Sequence, residues 1–445
     1  MQSVRSRLRG TNGFGREVDY HEEVMRIRAQ RGAALLAAGW GWAALSAQTL
    51  TVDPARAMAD AVVAIRAAGL DPGERVAIRA ELTDGADHRW ASQAEFTADP
   101  SGAVDVSKQT PIGGSYKEVS AMGLIWSMMP GAHNVAMYQP PRNLASQIVE
   151  FQLLRKGKPA ASARLEQMAL GPGVHTVRVD ENGLRGVMFV PAGAGPHPGV
   201  MVLSGSNGGI PSRPAAWLAS HGFAALALGY FHFADLPENL EAIPLEYFGR
   251  ALAWMARRPE IGDRKIGVSG TSRGGELVLQ LGSMYPRIRA VVAYVPANVR
   301  YPACCGFTAV PYAWTWKGQP LAFLPRRTGG RDDLEMRAEI AVENTQGPIL
   351  TISGEDDHVW RSASMADSVI GRLKRHQFPY ECENLKYPHA GHSAGRPDIV
   401  PAWHGHPVHP VSGREMDLGG TPRGDAESSL DSMPKVLAFL KKNLE

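Results

Sequence analysis

Cysteine is scarce in this chain. Its 445 residues hold three, Cys304, Cys305 and Cys382, and neighbouring cysteines close only a strained ring, so no disulfide framework is expected. An excess of charge of one sign is also missing. The formal net charge of +3 arises within residues 1–47, where seven Arg face four acids, and the remainder balances 40 basic against 40 acidic residues. A neutral body lacks the basic face with which a nucleic-acid binder displaces counterions from phosphates. Long apolar runs are lacking too. The best, Gly32 to Leu45, is too short to span a bilayer comfortably, which argues against an integral membrane segment. With 44% hydrophobic and 20% charged residues the chain is neither disordered nor fibrous, and its length fits two or three domains.

The short apolar run reads differently in its context. Arg26, Arg28 and Arg31 precede it, and the small residues Ser46 and Ala47 follow it. That is the order of a secretory signal peptide. Residues 1–47 therefore read as a leader, and if Met25 is the true start its signal peptide exports the protein to the periplasm or beyond; otherwise the expected location is the cytoplasm.

Residues 48–170 read as a small β-sandwich. Val76, Ile78, Ala80 and Leu82 alternate with Ala77, Arg79 and Glu81, the period of two of a half-buried strand. Asp84-Gly85 supplies a turn, a second run reaches Phe96, and Asp99-Pro100-Ser101-Gly102 breaks the chain again. Gly113-Gly114-Ser115-Tyr116 is read as a turn, because no Lys-Ser or Lys-Thr pair follows to make it a phosphate loop.

From residue 171 to 445 strands and helices alternate, the grammar of an α/β fold with a mainly parallel sheet covered on both faces. A hairpin is expected about Asn182-Gly183. Short apolar strands follow at Gly199–Leu203, Phe223–Leu228, Ile266–Ser269, Ala290–Val295 and Ile349–Ile352. Helices are expected at Glu246–Arg257, from Gly275 to about Tyr285, and near Met433–Leu444.

The sharpest chemical signal is Gly270-Thr271-Ser272-Arg273-Gly274. It follows one strand directly and opens a helix, the context of a nucleophile elbow. A serine hydroxyl attacks poorly without a base, and a histidine base needs a carboxylate to fix its tautomer. Downstream, Gly354-Glu355-Asp356-Asp357 ends a strand and Tyr387-Pro388-His389-Ala390-Gly391-His392 follows another. Asp357 is preferred to Asp356 as the acid, and His392 is the candidate base. The order Ser272, Asp357, His392 is that of an α/β-hydrolase. The backbone N–H of Arg273 is one candidate oxyanion donor; the N–H of Ser206, in the turn Ser204–Gly209, is the other. His404, His406 and His409 lie in a Pro- and Gly-bearing loop without an acid or cysteine beside them, so no metal site is read there.

Together these segments resemble the acyl-CoA thioesterase and bile acid-CoA:amino acid N-acyltransferase family. Further marks of the resemblance are Met122-Gly123-Leu124-Ile125-Trp126, Leu245-Glu246-Tyr247-Phe248 and the extended Gly270–Leu277 motif. The resemblance implies an immunoglobulin-like all-β sandwich ahead of an α/β-hydrolase domain. It implies a cofactor-free serine hydrolase with the triad Ser272, Asp357 and His392, cleaving a small-molecule acyl thioester, foremost acyl-CoA, through an acyl-enzyme. Amino-acid-conjugating members carry cysteine as nucleophile, so the serine here implies water as acceptor. Arg273 stands where the family usually has lysine. Since acyl-CoA is an intracellular metabolite, export would favour the alternative of a carboxylesterase using the same triad on oxygen esters. Beyond this neutral body, only Arg326, Arg327 and Arg331 offer a basic cluster for CoA phosphates.

Overall fold

The computed structural model describes residues 47–262, 265–325 and 332–445. The signal-peptide run, the Met25 start and the Arg326, Arg327, Arg331 cluster lie outside the described residues.

Alternating polarity dictates the first part. In β3 (Arg75–Thr83) Val76, Ile78, Ala80 and Leu82 are buried while Arg75, Arg79 and Thr83 are exposed, as the pleat requires. Asp84 then closes the turn to β4 (Arg89–Thr97). Its Oδ1 accepts the N–H groups of Ala86 and His88, each at 2.9 Å, and its Oδ2 accepts Trp90 Nε1 at 3.0 Å, the way an aspartate side chain stabilises a turn. With β5 (Gln147–Arg155) and β6 (Lys158–Met168) these strands build one antiparallel array in the order β6-β5-β3-β4. A smaller sheet pairs β1 (Thr49–Asp53) with β2 (Ala64–Ala68). Ile65, Ile78, Phe96 and Phe151 from the two sheets meet in a common core. Gly113-Gly114, read above as a turn, instead forms a two-residue strand on β4. At Gly114 φ is +118°, and a Cβ would come within 2.2 Å of Gln93 O, so the close pairing depends on glycine.

The second part is an α/β layer structure. The hairpin β7 (His175–Glu181) and β8 (Leu184–Val190) leads antiparallel into β10 (Ala224–Gly229). From there β10, β9 (Gly199–Leu203), β11 (Ile266–Thr271), β12 (Ile288–Tyr294), β13 (Ile349–Gly354) and β14 (Cys382–Tyr387) run parallel. Every residue of β9, β10 and β13 is buried. This explains their unbroken apolar sequences, because helices cover both faces of such a sheet.

The helices that matter for the site are α1 (Ser212–Ser220), α2 (Glu246–Met255), α3 (Arg273–Met284), α4 (Ser362–Arg375) and α5 (Pro422–Leu444). The last starts well before the expected Met433. Thr421 caps it by accepting Gly424 N–H at 3.0 Å, Pro422 takes the first turn, and the helix continues through Pro434. Proline is well suited to a first turn, and the buried face of the first half is small and polar, with Gly424, Asp425, Ser428, Ser429 and Ser432, so it carries no apolar periodicity.

The cysteines require a correction. Cys304 and Cys305 are joined, with sulfurs 2.08 Å apart. Cys305 adopts φ 86°, which turns the two neighbouring side chains toward each other. Among the described residues, no helix is long and apolar enough to cross a membrane.

Candidate active site

Ser272 sits at the hinge between β11 and α3. Its backbone lies at φ 59°, ψ −119°, a conformation that costs a non-glycine residue on the order of 1–3 kcal/mol and needs its surroundings to enforce it. Those surroundings are visible. Ser272 N–H donates to Tyr294 O at 2.9 Å, and Glu276 N–H donates back to Ser272 O at 3.0 Å. The flanking glycines are sterically required: a Cβ on Gly270 would come within 2.3 Å of Gly274 O, and one on Gly274 within 2.4 Å of Ser204 O. The turn is thus packed too tightly for a side chain at either glycine.

That side chain meets His392. The Ser272 hydroxyl lies 2.9 Å from His392 Nε2, and His392 Nδ1 lies 2.8 Å from Asp357 Oδ2. Asp357 has a fully buried side chain, and its other oxygen accepts Val359 N–H at 3.0 Å and Trp360 N–H at 3.2 Å. A carboxylate so held accepts a hydrogen bond from Nδ1–H and keeps the proton on that nitrogen, which leaves Nε2 unprotonated and able to accept from the serine hydroxyl. His392 is fixed from behind by its own N–H, which donates to Leu418 O at 2.7 Å, and by the edge-to-face ring of Trp360, 5.6 Å away. Asp356 points elsewhere: it faces His358 Nε2 at 3.1 Å and accepts Gly420 N–H at 3.1 Å.

The turn Ser204–Gly209 lies against Ser272. A Cβ on Gly205 would stand 3.2 Å from Ser272 Cβ. Ser204 O accepts Tyr230 Oη–H at 2.7 Å, and Gly209 N–H donates to Phe231 O at 3.1 Å, so both ends of the turn are tied to the chain following β10.

Two family profiles match this chain: the acyl-CoA thioester hydrolase/BAAT N-terminal region over residues 60–181, and the BAAT/acyl-CoA thioester hydrolase C-terminal region over residues 243–308 and 321–445. Acyl-coenzyme A thioesterase 6 of Mus musculus is 32% identical over 417 residues, covering 89% of this chain and 97% of that protein. The chain belongs to the BAAT/acyl-CoA thioester hydrolase family. Acyl-coenzyme A amino acid N-acyltransferase 1 of Mus musculus is 33% identical over 420 residues, again covering 89% and 97%. Overall identity therefore does not separate hydrolase from acyltransferase. Peroxisomal succinyl-coenzyme A thioesterase of Mus musculus is 30% identical over 422 residues, with the same coverage. The family is one of enzymes, and the sheet with its elbow gives this member the α/β-hydrolase fold.

Beside Ser272 this family member has a cavity of about 600 Å³. Val202, Leu203, Trp217, Leu218, Tyr294 and Met416 supply apolar wall, and Met137 and Gln139 extend it from a loop of the N-terminal part of the chain. Trp217 is anchored from the same side, its Nε1–H donating to Asp60 Oδ2 at 2.8 Å. Among the described residues, no hydrogen bond joins residues 48–170 to Ser272, His392 or Asp357. Their contribution is shape.

The Arg273 side chain is buried. Its Nη1 and Nη2 donate to Pro302 O at 2.8 Å and Tyr301 O at 3.1 Å. Its Nε lies 3.0 Å from Glu276 Oε2, an ion pair whose side chains are 4% and 0% exposed, though the Nε contact lacks hydrogen-bond alignment. Glu276 Oε1 also accepts Trp314 Nε1–H at 2.7 Å. Burial pushes the Glu276 carboxyl above its usual range, opposed first by the Arg273 charge. The planar guanidinium reaches three acceptors at once, which a lysine ammonium in that space does less well.

The three clustered histidines separate in the structure. His404 Nε2 approaches Asp425 Oδ2 at 3.3 Å, and Asp425 Oδ1 accepts Gly391 N–H at 2.8 Å, bracing the turn before His392. His409 enters the cavity wall. Among the described residues no group of three His, Cys, Asp or Glu could hold a metal. Glu276, Asp425 and His409 were not identified as parts of the site from sequence; His409 came nearest to notice, as a metal candidate.

Proposed function

We propose that the protein hydrolyses acyl thioesters, acyl-CoA foremost, through an acyl-serine intermediate. The observation that carries this reading is the unbroken relay of 2.9 Å and 2.8 Å from Ser272 through His392 to Asp357. Ser272 Oγ attacks the thioester carbonyl as His392 Nε2 removes its proton, and the resulting oxyanion is stabilised by the N–H groups of Arg273 and Ser206. The C–S bond then breaks, and His392 returns the proton to the departing thiolate. Water enters and gives a proton to the same nitrogen; its oxygen adds to the acyl carbon, and Ser272 leaves with the proton as the free acid forms. Asp357 orients His392 and stabilises its charged form in both halves of the cycle. The apolar wall of the cavity suits an acyl chain. The printed activities of the mouse thioesterases support the thioester bond as target, and the serine supports water over an amino acid as acceptor.

A second reading is favoured by the sequence of residues 25–47, which has the order of a signal peptide: an exported carboxylesterase using the same three residues on oxygen esters. One panel distinguishes the readings. Wild type and Ser272→Ala are assayed side by side on acyl-CoAs and on simple oxygen esters of matched acyl length. Higher kcat/KM on the thioesters, lost in Ser272→Ala, is expected; a preference for oxygen esters would transfer the conclusion to the second reading. A fluorophosphonate that fails to label wild type would overturn both. N-terminal sequencing of protein from its native host tests export, which requires a mature chain starting near Ala47 or Gln48.

A further inference from the structure

His409 lies seventeen residues beyond His392 in sequence, in the loop before α5, yet it reaches the opposite side of the active site. Its Nε2 lies 2.9 Å from the Ser206 hydroxyl. Its Nδ1 accepts two backbone donors, Val411 N–H at 3.2 Å and Ser412 N–H at 3.1 Å. A ring nitrogen that accepts carries no proton, so the proton is on Nε2, and Nε2–H donates to Ser206 Oγ. The ring is buried, at 7% exposure; burial first and the neighbouring His232 second hold its pKa below the ordinary histidine value, in keeping with a neutral imidazole. The loop is itself fixed: His409 N–H donates to Arg414 O at 2.8 Å, and Gly413 N–H donates to His409 O at 2.9 Å.

Ser206 is the middle of the turn that lies against Ser272. Its neighbours are tied at Ser204 O and at Gly209 N–H, and the His409 contact is the one side-chain hydrogen bond of the Ser206 hydroxyl among the described residues. An oxyanion donor must be held before charge develops, because a peptide free to rotate reorganises at the moment of reaction and loses its advantage.

We infer that His409 is a positioning residue for the reaction: its Nε2–H holds Ser206 and thereby keeps the backbone of Ser204–Gly209 aimed at the developing oxyanion. This rests on the proposed serine mechanism and specifies which part of the chain outside the triad that mechanism needs.

The test compares His409→Leu, His409→Gln, Ser206→Ala and the double variant His409→Leu/Ser206→Ala in the full chain. The readings are kcat and KM on the best substrate of the panel above, the rate of fluorophosphonate labelling of Ser272, and the thermal midpoint. Removing the Nε2 donor is expected to lower kcat and the labelling rate roughly ten- to a hundredfold with KM little changed, below or near the cost of deleting an oxyanion donor outright. Gln supplies an amide N–H near the former Nε2 position and is expected to recover most of the loss. Because His409 acts through Ser206, the double variant is expected to be no slower than the slower single variant. Unchanged kcat in His409→Leu and Ser206→Ala, whatever the thermal midpoint, would reduce His409 to a packing residue, and multiplicative losses in the double variant would disconnect it from Ser206. Failure of the serine mechanism is read separately, as wild type that neither hydrolyses the panel nor is labelled.

Discussion

The adjacent acids Asp356 and Asp357 allow a test in which the two variants differ by one position. In Asp357→Asn the new amide has two orientations. With its oxygen toward Val359 and Trp360, it keeps the two backbone bonds now made by Asp357 Oδ1. With its NH₂ there, donors would face donors, at a cost of about 1–3 kcal/mol for each unsatisfied group. The first orientation wins, and it aims the NH₂ at His392 Nδ1, now 2.8 Å from Asp357 Oδ2. Nδ1 must then accept, the imidazole proton moves to Nε2, and the base that faces Ser272 is gone. Such a tautomer reversal costs kcat about 10⁴-fold, equivalent to about 5 kcal/mol in the barrier. Asp356→Asn disturbs only a half-exposed pair with His358 and the acceptor for Gly420 N–H. Its expected cost is at most about 1 kcal/mol in stability and no more than roughly threefold in kcat. Steady-state release of the thiol from acyl-CoA, followed with a thiol-reactive chromophore over a substrate range that separates kcat from KM, gives both numbers. Equal losses, or a larger loss in Asp356→Asn, would refute the argument and with it the orientation of His392.

Other expectations rest on separate parts of the structure. Ser272→Ala and Ser272→Gly are both expected to lose activity by roughly 10⁴ or more, but glycine relieves the backbone at φ 59° and should be the more stable by about 1 kcal/mol in denaturant titration. Gly274→Ala drives a methyl toward Ser204 O and is expected to lower both the thermal midpoint and kcat; a variant with wild-type values would contradict the tight elbow. Glu276→Ala leaves the Arg273 charge buried without its partner and is expected to destabilise by about 3–5 kcal/mol, with Glu276→Gln intermediate; chemical denaturation measures the order. Asp417 first and Asp356 second raise the pKa of exposed His358. The stabilisation from this pairing is full below the unfolded histidine value and is lost as pH rises through the raised one. NMR titration should find His358 shifted downward in Asp356→Asn.

The parts of the molecule legible in sequence are those whose physics is local. Strand Gly199–Leu203 was bounded correctly because a strand buried on both faces must be apolar throughout. The elbow was legible because cramped backbone geometry demands glycine at two fixed offsets from the serine. The preference for Asp357 over Asp356 concerns which carboxylate faces His392, and the structure sets Asp357 against it while Asp356 faces His358. Non-local effects were not readable. The start of α5 was hidden because its first half buries Gly424, Asp425, Ser428, Ser429 and Ser432, a polar face that shows no apolar pattern. The bond between Cys304 and Cys305 depends on a positive φ that no neighbouring residue type demands.

The residues that sequence could not assign share a physical trait: each acts by holding another group from a distant point in the chain. Gly391 N–H is held by Asp425 and Ser206 by His409, in pairs 34 and 203 residues apart, while Trp217 is held by Asp60, 157 residues away. Such contacts have no spacing rule, because their geometry is set by how loops close over a finished sheet. They also give loops of the N-terminal part of the chain a place in the cavity wall without a hydrogen bond, among the described residues, to Ser272, His392 or Asp357. Asp60 fixes the indole that walls the cavity, and Met137 and Gln139 complete that wall. Asp60→Ala is accordingly expected to leave kcat on a short acyl substrate nearly unchanged while raising KM for long-chain substrates several-fold, because the lost contact is apolar area rather than transition-state charge. A kcat loss that is independent of chain length would instead mean that the N-terminal sheets support the triad directly.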